Sequence, residues 1–93
     1  MPWHKVQISG ERVQLGALTH LVNVYSEIRL KAGGPLNAGM YDRQATDGSV
    51  TVFLSPKASE LASALLREYN AEPCEQPTGV SMLVGDQSDK LAL

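Results

Sequence analysis

A short turn near the middle of the chain constrains the fold more than any other feature. Thr46-Asp47-Gly48 separates two strand-like runs, residues 40–45 and 49–54. Asp-Gly between such runs signals a hairpin, because both residues tolerate the positive φ that a tight turn needs. Val50, Val52 and Leu54 point to one face of it, Thr51 and Phe53 to the other. On each side of this hairpin lie one helical pattern and one further strand-like run, so the chain reads β-α-β-β-α-β.

The first strand is Trp3-His4-Lys5-Val6-Gln7-Ile8, with His4, Val6 and Ile8 on one face, broken by Ser9-Gly10. From about Glu11 to Ala32, apolar residues at Leu15, Leu18, Leu21, Val22, Tyr25 and Ile28 form one helical stripe. Arg29 and Lys31 in its last turn, Gly33-Gly34 and then Pro35 mark the end. The start has two readings: a long helix from Glu11, or a hairpin turning at Gly10-Glu11 with the helix opening near Ala17. Ser55-Pro56 opens a second helix as N-cap and first helical residue. Its buried stripe is Ala58, Leu61, Ala62, Leu65, Leu66 and Tyr69, and Asn70 is its stop. A last strand runs Val80-Ser81-Met82-Leu83-Val84.

This order predicts one α+β domain over residues 1–85, with two helices on one face of a four-stranded sheet in a ferredoxin-like sandwich, followed by a polar tail over 86–93. Val6, Ile8, Val50, Val52, Leu54, Val80, Met82 and Val84 are expected to meet the helices. The opposite face is expected to carry Trp3, Lys5, Tyr41, Arg43, Thr51, Phe53 and Leu83. Trp3, Tyr41, Phe53 and Leu83 together are more apolar surface than a monomer comfortably leaves in water, so a second copy of the chain is expected to cover them as a homodimer or higher oligomer.

Charge and residue inventory narrow the function. The net charge is −2, and a surface that tracks phosphates needs a basic excess, so nucleic acid is not the expected partner. An RNA-binding sheet would also place an Arg/Lys-Gly-aromatic signature where Gly48-Ser49-Val50-Thr51-Val52-Phe53 stands. No apolar run approaches the ~20 residues of a membrane helix, so no membrane partner is expected. A single cysteine, Cys74, forms no internal disulfide and fits a reducing cytoplasm. Its neighbours Glu72 and Glu75 are expected to raise its pKa and leave a passive thiol. Two histidines, His4 and His20, and that cysteine do not make a metal site, and no phosphate-cradling glycine loop is present. No cofactor is expected. Tyr41, Asp42 and Arg43 are strand neighbours and cannot all converge in one subunit.

The remaining signal is at the N-terminus. Pro2 is small enough to let Met1 be trimmed, and a free N-terminal proline is a secondary amine whose pKa can fall in an apolar pocket until it acts as a base. Pro2, Ile8, Arg12 after the first strand, the helix ending near Ala32 and Pro35-Leu36 give the first half a resemblance to the tautomerase superfamily. That resemblance implies Pro2 as base for keto/enol acids, Arg12 as anchor of the substrate carboxylate, and Arg43 as a second arginine. The fuller expectation from the residues is a non-catalytic, homo-oligomeric binding or assembly module for a small apolar or carboxylate ligand or a partner. The proline-based isomerase is the alternative.

Overall fold

A computed structural model describes residues 1–33 and 37–85. Strand β1 (Trp3–Ile8) leads through helices α1 (Gly10–Gln14) and α2 (Ala17–Lys31) to β2 (Gly39–Gln44) and β3 (Val50–Leu54). Helices α3 (Pro56–Leu61) and α4 (Ser63–Glu68) follow, then β4 (Glu72–Cys74) and β5 (Ser81–Gly85). The fold is α+β, and the strands form one antiparallel sheet in the order β4-β1-β3-β2-β5. The expected tail over 86–93 lies outside the described residues, as do Gly34, Pro35 and Leu36.

The central hairpin forms as its sequence dictates. Gly48 N–H donates to the Ala45 carbonyl at 3.1 Å, and Ala45 N–H donates to the Ser49 carbonyl at 2.9 Å. Asp47 accepts from both the Ser49 amide (3.0 Å) and hydroxyl (2.6 Å), which holds its carboxyl below the usual range. Ser55 caps α3 by accepting from Ala58 N–H and also accepts from Gly39 N–H, tying the helix start to β2. Asn70 (φ 54°) ends α4, and Ala71 N–H donates back to the Leu66 carbonyl at 2.8 Å.

The structure departs from the sequence reading at four places. The sheet has five strands because Glu72–Cys74, taken as connection, adds to the outer edge of β1. Three residues show no periodicity, and Pro73 is tolerated only because an edge strand can lack a donor. The long first helix is interrupted at Leu15-Gly16, where Gly16 turns to φ 90°, a conformation that L side chains disfavour. The second helix is interrupted at Ala62, and nothing in the sequence there explains it. Lastly, the pairing of β2 with β5 shifts between Met40 and Tyr41, so Met40 faces Val84 but Tyr41 faces Met82. That irregularity turns Met82 to the side of Tyr41, while Leu83 packs against the helix-side core and not on the open face.

Between sheet and helices lies one core. Val6, Ile8, Met40, Val50, Val52 and Leu54 from the strands meet Leu21, Tyr25, Ala58, Ala62, Leu65 and Tyr69 from the helices. Period-2 and period-3.6 patterns thus face each other across a single layer. Among the described residues no helix is long and apolar enough to cross a membrane.

Candidate functional site

Trp3, Tyr41 and Phe53 do share the sheet face opposite the helices. Tyr41 and Phe53 are register partners across β2 and β3, and the Trp3 and Tyr41 rings lie 5.7 Å apart, tilted by 43°. Yet Tyr41 is only 2% exposed and Phe53 6%. The chain itself covers them. β4 and β5 occupy opposite edges of the sheet, so residues 75–80 must cross from one to the other. They pass over the open face, where Arg43 donates to the Thr78 carbonyl and its guanidinium sits 5.3 Å from the centre of the Phe53 ring. Pro77, in the middle of this strap, is buried. Trp3 remains half-buried.

A different feature forms where the first helix breaks. Ser9 caps α1 by accepting from Arg12 N–H at 3.3 Å, and the chain then turns through Leu15-Gly16 into α2. The break leaves an open pocket of about 220 Å³ lined by Arg12, Leu15, Gly16, Ala17 and His20. α2 begins without a side-chain cap, so the N–H groups of its first turn lack intrahelical partners and carry the positive end of the helix dipole. The Arg12 guanidinium lies 5.4 Å from the centre of the Tyr69 ring. Tyr69 in turn donates to the Ala17 carbonyl at 3.5 Å. Burial raises the pKa of this phenol, Glu68 raises it further and Arg12 opposes the shift, so Tyr69 stays a donor at neutral pH. His20 Nε2 lies 3.5 Å from Glu68 Oε1. Among the described residues Arg12 has no carboxylate partner. Positive groups of two kinds therefore converge on one small concavity, beside a leucine left 81% exposed. Such a site can hold an anion with an apolar portion.

The residues of the isomerase reading do not meet within one chain. Pro2 is exposed at the start of β1, and Arg12 follows its far end. The six residues of β1 that lie between them span roughly 20 Å at the rise of a strand. Arg43 is the register partner of Thr51, which pairs with Gln7, so it too lies toward the far end of β1. A site using Pro2 with either arginine would draw on more than one copy.

Two other groups resolve into structural roles. His4 Nδ1 lies 3.0 Å from Ser59 Oγ, and the Ser59 hydroxyl donates to the Leu54 carbonyl. Fully buried between the His4 ring and the Leu54 carbonyl, Ser59 fastens β1 to α3. Cys74 is half-buried opposite Trp3. Its pKa is raised as expected, but burial is the cause, partly offset by Lys5; the neighbouring glutamates do not contribute. Among the described residues no three His, Cys, Asp or Glu side chains converge as metal ligands.

Sequence reasoning found Arg12 and missed what surrounds it. The available signal was Gly16, an isolated glycine inside a helical pattern, which marks a break. His20, Glu68 and Tyr69 carried none, because they meet only across the packing of α2 on α4. No protein-family model matches this chain, and neither does any curated protein or solved structure.

Proposed function

We propose that this chain is a non-catalytic, homo-oligomeric binding module of the cytoplasm, and that its ligand is a small carboxylate with an apolar portion. The carrying observation is the pocket in which Arg12, His20 and the uncapped start of α2 converge. Arginine offers a planar fork matched to a carboxylate, and exposed Leu15 gives the rest of the ligand something to lie on. The order β4-β1-β3-β2 with all helices on one side supports reading the fold as a ferredoxin-like sandwich extended by β5. Titration of isotope-labelled protein with phenylacetate tests the proposal, with benzyl alcohol and chloride as controls. The expected result is saturable amide shifts confined to residues 12–20 and weakened about tenfold or more in Arg12→Gln, in line with loss of one charge-assisted hydrogen bond. Shifts that are absent, or equal in the variant, reject the site.

The position of Pro2 at the head of β1, exposed in one chain and open to cover by another copy, leaves a second reading, the keto/enol isomerase. Removal of Met1 would free the Pro2 nitrogen, and the carboxylate anchor would come from Arg12 of another copy. Ketonisation of phenylenolpyruvate by processed protein, lost in Pro2→Ala, is its expected signature; equal rates in both proteins reject it.

A further inference from the structure

The strap over the open face is short for the distance it crosses. It must cross four inter-strand gaps, about 19 Å at ~4.8 Å each. It also runs diagonally. Cys74 is level with Trp3 and Ser81 with Asp42, and through β3 these levels differ by three residues, about 10 Å at a strand's rise. The straight diagonal is then about 22 Å. Residues 75–80 supply seven Cα–Cα steps, which reach about 23–25 Å when fully extended at ~3.3–3.6 Å each. The path is not straight, since it must climb over Phe53 and Arg43, and Gly79 bends it at φ 66°.

A second copy removes the demand. Consider two sheets facing each other across their open faces, related by a twofold axis parallel to the strands. The axis places the β4 edge of one copy over the β2 edge of the other and leaves every strand direction unchanged. β5 then reaches the other copy's β2 by a step of roughly 15 Å, made of the ~10 Å between packed sheets, one strand spacing and the same ~10 Å offset along the strands, and keeps its antiparallel sense. The strap withdraws from the aromatic face, and the facing sheet takes its place over Trp3, Tyr41 and Phe53.

We propose that in solution β5 is exchanged between two copies, which pack face to face through Trp3, Tyr41, Phe53 and Met82. The occupant of the open face is therefore a second copy of this chain. Exchange preserves the β2–β5 ladder, with the same residues paired. Short connections favour such exchange, because the swapped form retains the native pairing over a shorter crossing. The inference rests on the homo-oligomer named in the proposed function and is independent of the ligand.

A disulfide test decides it. Asp42 and Ser81 are opposed across β2 and β5, so Asp42→Cys with Ser81→Cys, in a Cys74→Ser background, places two thiols within bridging geometry. Under exchange, oxidation links two chains, and the product migrates as a covalent dimer on a non-reducing gel. A closed monomer overturns the proposal, as does a wild-type protein that sediments as a monomer at every concentration; neither result touches carboxylate binding. Should the cysteine pair fail to oxidise or fold, a Gly-Ser-Gly-Ser insertion after Gln76 gives the answer by mass. The lengthened strap can return to its own sheet, so the dimer is expected to dissociate at a concentration at least tenfold higher. An unchanged dissociation concentration overturns the exchange.

Discussion

The two faces of the sheet are covered by different means. One is covered, among the described residues, by four helices whose apolar stripes match the alternation of the strands, and Val6, Ile8, Met40, Val52 and Leu54 are inaccessible there. The other is covered by six residues of strap, one buried proline and one arginine stacked on Phe53. Regular elements interlock over many residues, so the first face resists local change. The second depends on a few contacts along a single extended segment, which makes it the face where the molecule can rearrange.

Adjacent residues of β3 sample both faces and give the largest contrast. Leu54→Ala on the helix side is expected to lower stability by about 2–5 kcal/mol, the range for deleting a buried leucine, as read from urea unfolding. Phe53→Ala removes a larger side chain yet is expected to cost less in dilute protein, because a strap settles into a gap more readily than packed helices do. Equal or greater loss at Phe53 would erase the distinction between the faces.

At the edge, Gly85 pairs with Gly39, and a Cβ on Gly85 would lie 2.4 Å from the Ala38 carbonyl oxygen. Its φ of 150° also disfavours a side chain. Gly85→Ala is expected to cost about 1–3 kcal/mol, as overpacking does, and to speed amide exchange in β5 before the rest of the sheet. Uniform acceleration would place β5 within the cooperative core. Arg43→Gln removes the ring contact and the Thr78 bond at an exposed position, an expected loss of about 0.5–1 kcal/mol. Its readout is greater proteolytic nicking within residues 75–80, and an unaltered cleavage rate would show that the strap is held by other contacts.

The smallest effect is in alkali. Tyr69 has a raised pKa in the folded protein, chiefly through burial, so above about pH 10 the unfolded chain releases the phenol proton first. The folded state then binds more protons, and stability falls as pH rises. Tyr69→Phe should flatten that part of the stability profile; the same slope in the variant would assign it to other groups.

What was legible in the sequence follows the same division. Asp47-Gly48, Ser55-Pro56 and Asn70 act locally, through turn and cap chemistry, and each appears where its residues place it. The helix-side core was readable from periodicity. β4 escaped because three residues with a proline carry no period, and its presence sends the last strand to the opposite edge. From that follow the strap and the burial of Tyr41 and Phe53 within one chain. Leu83 was assigned to the wrong side because a one-residue shift at Met40/Tyr41 inverts facing, and such a shift has no local sequence mark. Arg12 was visible as a cation near a helix start. The pocket around it depends on Gly16 and on the meeting of α2 with α4, which is tertiary.

Trp3 is the sole tryptophan and stands on the second face, half-buried beneath no helix. Acrylamide quenching of its fluorescence across a dilution series therefore reports directly on what covers that face. The account predicts a shielded Trp3 in concentrated protein that becomes accessible on dilution, with a midpoint matching the fall in mass. Quenching that stays constant at a half-exposed level through the same series would contradict it.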